Sequence, residues 1–327
     1  SLKINCLFER VAMIRALIYG VLSSFFFSLT FILNREMAVS NGSWQWSASL
    51  RYLFMLILLL ILLIPKKSYA LPIKNILANP LPWLIWSSIG FGCFYIPLCY
   101  VANSAPAWLI AGSWQLTIPI GALLTPLFSQ KISINGKDVI IKPKIPRKVF
   151  FISCFIAIGV GLLLFPEMKE VDVWQAIKIV GLVLIAAIAY PLGNRKIMLE
   201  CSKNLSTMQR VFAMTVASLP IWIFLSIYQL FYGNYPSYGQ LSQSALVAVF
   251  SGVVATWLFF EATYLVRFNL SQLAVVEATQ SGEVIFALIS GVLFFHDKLP
   301  ELISYCGLAL IIGGMFANSL LVKNSSG

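Results

Sequence analysis

Four ionisable side chains, Arg51, Glu261, Glu277 and Glu283, lie inside long apolar stretches of this 327-residue sequence. An ionised group in hydrocarbon is costly, by roughly a few kcal/mol or more, so each is a candidate for function before it is a candidate for stability. Glu283 falls at the centre of its stretch, in EATQSGEVIFALIS. A carboxylate there could trade its proton for a cationic substrate, because either partner spares it a bare charge in apolar surroundings. The plainer alternative is a structural carboxyl, kept protonated or paired with an amide. Glu277, Gln280 and Glu283 follow one another at three-residue steps, so neighbours share a stripe of one helix. Glu277 and Glu283 would differ in height by roughly 9 Å and form one site only if a proton path joined them.

Glu261 and Glu277 lie toward the same end of their stretches as Arg195, Arg210 and Arg267. That grouping fits a gate of ion pairs, with static pairing of buried charge as the plain alternative. At the opposite end Arg35 and Arg51 could pair with Glu36, Asp297 or Glu301. Among the aromatic residues, Trp114 stands beside Gln115 within an apolar stretch. With Tyr95, Tyr190 and Trp257 it could line a cavity that holds flat or quaternary cations over its rings, unless these rings are ordinary packing. His296 is the single histidine, and Cys93, Cys99, Cys154 and Cys306 are spaced as small hydrophobes, so neither a metal nor a cofactor is expected.

The elements that must position these groups are membrane helices. Apolar residues make up 59% of the chain and charged residues only 11%, too few for the polar shell of a soluble domain. About 20 apolar residues cross the roughly 30 Å of hydrocarbon. Ten runs qualify, at about 15–35, 44–64, 81–102, 106–128, 148–166, 174–192, 208–230, 242–264, 271–295 and 301–322. None alternates with period two, so the expected class is an all-α integral membrane protein. Pro119 and Pro191 fall within spans beside Trp114 and Asn194 and are candidate hinges. With the N-terminus inside, 18 of the 23 basic residues fall on the cytoplasmic side. The net charge of +11 therefore reads as a topology signal placing both termini in the cytoplasm, and not as a nucleic-acid surface. Ser1–Ala12 reads as a leader outside the membrane and the final Ser-Ser-Gly as an added tail.

The chain also echoes itself. Asn34-Arg35 closes the first apolar run and Asn194-Arg195 another, 160 residues on. Arg51 matches Arg210 at offset 159, Gly90 matches Gly252 at 162, and Gln115 matches Gln280 at 165. Two repeats follow, 14–166 and 174–322, each of five helices. Because five is odd, the second enters the membrane from the other side, which makes an inverted 5+5 repeat of the kind that supports alternating access. The first repeat carries an insertion at 131–148, where ISINGKDVII reads as an Asn-Gly hairpin in a basic cytoplasmic loop. It serves as a solvated topology determinant or as a contact for anionic membrane lipids.

Residues 269–316, NLSQLAVVEATQSGEVIFALISGVLFFHDKLPELISYCGLALIIGGMF, and more weakly 105–128, APAWLIAGSWQLTIPIGALLTPLF, resemble the drug/metabolite transporter superfamily pattern AxxASxxxxxxPLxxALLxxLxLxE followed by a glycine-rich last helix. The paired Asn-Arg motifs and the Glu-bearing ninth helix are most similar to its multidrug-resistance efflux branch, relatives of the small multidrug resistance proteins. The resemblance covers residues 14–322, although Gly282-Glu283 replaces the usual proline and His296-Asp297-Lys298 replaces a GER-like turn. It implies a ten-helix carrier in a bacterial-type plasma membrane that exports lipophilic cations, drugs or small metabolites.

Taken together, a proton-coupled secondary transporter is expected, with Glu283, Gln280, Trp114, Gln115, Tyr190, Tyr95 and Trp257 binding substrate or proton. Glu277, Glu261, Arg210, Arg195, Arg51, Arg35, Asn34 and Asn194 would gate it. The alternative is an amino-acid or other polar-metabolite carrier, binding through Gln115, Gln280, Asn34 and Tyr190 with structural glutamates. No GxxxxGK[ST] phosphate loop occurs, and with one histidine and no Asp in any span an enzyme is not expected. The partners expected are a small-molecule substrate, protons and lipids. A duplicated chain holds both halves, so a monomer suffices and a dimer remains open.

Overall fold

The computed structural model describes residues 2–128, 130–134, 137–141, 147–166, 172–201, 204–266, 272, 275, 276 and 278–323. It is built of helices, many of them interrupted inside apolar sequence. The first part of the chain forms α1 (Leu2–Val39), α2 (Trp44–Leu63), α3 (Ala70–Ala78), α4 (Pro80–Ser87), a π segment (Ser88–Cys93) and α5 (Phe94–Val101). There follow α6 (Ala107–Trp114), α7 (Thr117–Leu124) and α8 (Arg147–Leu164). The rest forms α9 (Val173–Lys196), α10 (Thr207–Ala217), α11 (Leu219–Tyr232), α12 (Tyr238–Leu246), a second π segment (Val247–Ala255), α13 (Thr256–Leu265), a 3-10 turn (Thr279–Ser281), α14 (Gly282–Phe294) and α15 (Leu302–Lys323). Residues 2–12, read from the sequence as a leader, continue the first helix without a break.

Among the described residues five helical stretches are long and apolar enough to cross a membrane: Val11–Val39, Trp44–Leu63, Pro80–Val101, Val173–Leu199 and Tyr238–Leu265. A sixth arises if α10 and α11, bent by 45° at Ser218, form one span. Phe150–Leu164, Thr279–Phe294 and Leu302–Ala317 are shorter apolar helices. The run expected at 106–128 is not one helix. Pro119 has no N–H for the carbonyl of Gln115 and its ring crowds that carbonyl, so the helix stops at Trp114 and restarts at Thr117. The Gln115 carbonyl accepts instead from the Ile118 amide at 3.1 Å. The all-helical reading has one exception, the expected hairpin: Gln130–Ile134 and Lys137–Ile141 pair antiparallel with Ser133 opposite Asp138.

Helix starts follow from local chemistry. Ser43, Asp172 and Ser237 accept backbone amides two or three residues on, and Ser206 with Gln209 forms a reciprocal capping box. Packing then joins the two parts of the chain. Helix α1 lies against the second π segment, α13 and α14, and α9 lies against the first π segment and α5. The α9 contact is backbone on backbone: a Cβ at Gly193 would meet Gly90 Cα and N and stand 2.7 Å from the Trp86 carbonyl. Helices α8 and α15 meet the same way, with the position of a Gly307 Cβ 2.5 Å from the Gly159 carbonyl. Gly161 and Gly313 meet nothing within 4 Å, so the smooth glycine face expected on these two helices is used only in part.

Rigid backbone cannot move aside for a methyl group as a flexible side chain can. Gly193→Ala should therefore cost about 1–3 kcal/mol and lower the thermal midpoint of detergent-solubilised protein, whereas Gly161→Ala should not. Equal midpoints for the two variants would refute the close crossing of α9 and the first π segment.

Candidate functional site

The interrupted helices surround a cavity of about 370 Å³. Glu283 opens onto it from the first turn of α14 and is only 6% exposed. Its position follows from close contact with α1. A Cβ at Gly282 would stand 2.6 Å from Ser24 Oγ, Gly20 faces Thr279, and Gln280 Nε2 donates to the Gly20 carbonyl at 3.4 Å. Gln280 lines the cavity beside Glu283.

Across the cavity are Trp114 and Gln115, at the break between α6 and α7, and Tyr190 on α9. Trp114 and Tyr190 pack edge to face at 5.4 Å, and Phe94 completes a three-ring wall with centroids 4.9 Å from Trp114 and 4.8 Å from Tyr190. Gln115 is buried and ties Nε2 to the Ala111 carbonyl at 3.2 Å. Five of the residues expected to bind substrate or proton thus meet at one cavity. The other two do not line it. Tyr95 is fully buried behind it, its hydroxyl donating to Asn34 Oδ1 at 3.0 Å. Trp257 is 49% exposed and packs against Tyr19, because the turn of α13 that carries it aims outward while Thr256 and Phe259 face the cavity.

The residues expected as gates divide as well. Arg51, Arg210 and Asn194 line the cavity. Arg210 lies over the Phe260 ring at 5.9 Å, and among the described residues it makes no ion pair with half-buried Glu261. Arg195 donates to the Gly121 carbonyl at 2.6 Å, and Asn194 to the Tyr190 carbonyl of its own helix at 2.8 Å. Arg35 donates to the carbonyls of Ala102 and Asn103 at 2.9 and 3.3 Å, and no ion pair with Glu36, Asp297 or Glu301 forms among the described residues. Helix-end carbonyls thus take up donors of Arg35 and Arg195, for which the sequence suggested carboxylates. Glu277 and Arg267 lie outside the described residues.

Arg51 is the unusual member. It is 6% exposed, donates to Thr30 Oγ1 at 3.4 Å and Ser251 Oγ at 3.3 Å, and stands 4.3 Å from the Tyr95 ring centroid. The two hydroxyls bond each other at 2.5 Å. Sequence reasoning passed over Thr30 and Ser251, since serine and threonine in apolar helices commonly bond their own backbone and give no periodic signal.

Helices broken around an aromatic and charged cavity define the class: a polytopic helical membrane protein. A family model described as "EmrE: Putative multidrug resistance efflux transporter" matches residues 14–324, and the chain belongs to that family. It is 44% identical over 305 residues to "Uncharacterized protein YjlA" of Bacillus subtilis (strain 168), covering 93% of this chain and 94% of that protein. It is 40% identical over 274 residues to an "Uncharacterized 42.1 kDa protein in intracellular alkaline protease 3'region" of Shouchella clausii, covering 84% of this chain and 71% of that one. A crystal structure of a protein with 8% identity superposes with a TM-score of 0.59 over 95% of this chain and 99% of its own, a likeness of fold alone.

Outside the membrane segments, the end of α14 carries a titratable group in strained surroundings. His296 takes a positive φ of 53°, and the Asp297 amide returns to the Gly291 carbonyl at 3.1 Å. This turn buries Asp297 Oδ2 with no hydrogen-bond partner. Burial raises the carboxyl pKa, and nearby Arg35 offsets this only in part. The folded protein therefore holds this proton to higher pH than the unfolded chain, whose carboxyl titrates near 3.9. The associated stability is present below that pH and is lost as pH rises through the raised native value. Asp297→Asn should match wild type in thermal midpoint near pH 3.5 and exceed it near pH 7. A constant difference across that range would exclude a titrating Asp297.

Proposed function

We propose that this chain is a secondary active transporter of ten spans arranged as an inverted 5+5 repeat, 14–166 and 174–322, with both termini in the cytoplasm of a bacterial plasma membrane. It works by alternating access, and Glu283 exchanges a proton for the cationic group of an exported amphipathic drug or small metabolite. The observation that carries the reading is Glu283 itself: a 94% buried carboxylate, without an ion pair among the described residues, facing a cavity walled by Phe94, Trp114 and Tyr190. A carboxyl so placed favours being neutral, either by binding a proton or by binding a cation, and the two are therefore mutually exclusive occupants. The rings supply stacking and cation-π surface for the substrate.

Support for the duplication comes from where the helices break. π segments run through both Gly90 and Gly252, and helices are interrupted at both Gln115 and Gln280, positions that the sequence offsets pair. Those breaks, with Pro119 and Pro191, are the hinges about which the halves would rock. In that cycle Arg210, Glu261 and Glu277 would close the inner side, and Arg35 with Asp297 or Glu301 the outer. Arg210 and Glu261 make no ion pair with each other here, as would hold in one state of such a cycle. The family's efflux description supports the direction of transport.

Proton release on adding a lipophilic cation such as tetraphenylphosphonium to weakly buffered, detergent-purified protein tests the coupling. Wild type should release about one proton per ligand bound and Glu283→Gln none. Binding without release, or equal release from both proteins, would count against proton exchange at Glu283.

A further inference from the structure

The cavity has two charged ends, and only one is used by the reading above. Its described lining carries two guanidiniums, Arg51 and Arg210, against the single carboxylate of Glu283. A purely cationic substrate that replaces the Glu283 proton would leave both guanidinium charges of this low-dielectric chamber in place. Arg51 is the more deeply buried of the two, at 6% exposed. Hydroxyls at 3.3 and 3.4 Å accept from it, Tyr95 lies against it, its Nε has no hydrogen-bond partner, and no carboxylate pairs with it among the described residues. A buried charge without a carboxylate partner carries a desolvation cost, which the Tyr95 and Tyr52 rings at 4.3 and 5.7 Å help to offset. The planar fork of an arginine is, however, the group best shaped to take a carboxylate.

The surroundings hold this fork still. Asn34 Oδ1 fixes the Tyr95 hydroxyl, Tyr95 presents its ring to the guanidinium, and the bonded Thr30–Ser251 pair brackets it from α1 and the second π segment. Arg51, Tyr190 and Glu283 all line this cavity, so the two poles belong to one chamber.

We propose that Arg51 is the anchor for an anionic group, and that the transported molecule is a zwitterion with an apolar or aromatic body: its carboxylate on Arg51, its ammonium on Glu283 and its body against the ring wall. This rests on the cavity being the transport site, and narrows its substrate from amphipathic cations at large to molecules carrying both charges. A zwitterion that displaces the Glu283 proton lowers the positive charge of the chamber by one and gives each pole a partner of opposite sign, whereas a simple cation leaves Arg51 without one and a simple anion leaves Glu283 without one. Neutral polar lining from Gln115, Gln280 and Asn194 leaves room for such a molecule without a competing charge.

Three probes sharing an indole ring separate the poles: tryptamine as cation, tryptophan as zwitterion and indole-3-propionate as anion, each titrated calorimetrically into the detergent-purified full chain near pH 7. Wild type should bind tryptophan about tenfold or more tighter than tryptamine. Arg51→Gln should erase that margin and leave tryptamine within about twofold. Glu283→Gln should weaken tryptamine and tryptophan and spare indole-3-propionate. If Arg51→Gln does not fold, Arg51→Lys keeps the charge without the fork and should shrink the margin severalfold. Equal binding of tryptophan and tryptamine by wild type, an Arg51 variant that weakens all three probes alike, or no binding of either carboxylate probe at millimolar concentration would each overturn the proposal. A carboxylate margin lost with Arg51 while Glu283→Gln still releases protons would sink proton exchange at Glu283 and leave the anionic pole standing. Glu283-dependent release without any carboxylate margin would do the reverse.

Discussion

Hydrocarbon solvates neither a free carbonyl nor a charge, and each break in a helix inside the apolar region must be satisfied by the protein itself. The breaks in this chain meet that demand locally. Ser23 donates to the Ala255 carbonyl at the end of one π segment, Thr117 to the Ala187 carbonyl of α9, which Pro191 four residues on cannot satisfy, and Thr279 and Ser281 to Val276 and Ala278 beside Glu283. Two of these hydroxyls, Ser23 and Thr117, also hold together elements far apart in sequence. Because a cavity needs irregular backbone around it, and irregular backbone needs such donors, the site and the fold rest on one constraint.

Close backbone approach is the second consequence. At Gly90 and Gly193, and at Gly20 and Gly282, the absence of side chains brings helices near enough for short polar groups to reach across. Glu283 and Tyr190 stand one residue and three residues from such crossings, on elements whose placement leaves little freedom. The wall of Phe94, Trp114 and Tyr190 is positioned by the same crossing of α9 with the first π segment and α5. A rigid wall facing a buried carboxylate suits recognition of a ring-bearing cationic group, since neither part must reorganise to receive it.

The charges behave differently from what opposite sign alone suggests. Arg35 and Arg195 spend their donors on helix-end carbonyls, and Arg51 on two hydroxyls and a ring. A carbonyl fixed at a helix end is already oriented, so a guanidinium gains a partner there without burying a second full charge. The one consequence for the cavity is an excess of positive charge among its described lining residues, which bears directly on the kind of molecule it can hold.

Membrane residence, helical class and the family resemblance could all be read from composition, run length and motif, because hydrocarbon imposes length and polarity on sequence directly. The hairpin at 130–141 was legible for a similar reason, since an Asn-Gly turn between β-branched residues is a local instruction. Glu283, Gln280, Trp114, Gln115 and Tyr190 were legible as polar or aromatic exceptions within apolar runs, and they meet at one cavity. The break at Gln115–Leu116, the outward turn of Trp257 and the partners of Arg51 were not. Each depends on which face of a helix meets which neighbour. A residue's cost in the membrane is written in its own chemistry, whereas its partner is chosen by helix rotation and crossing. Those are set by packing among segments up to 232 residues apart, as between Ser23 and Ala255, and only the tertiary structure decides them.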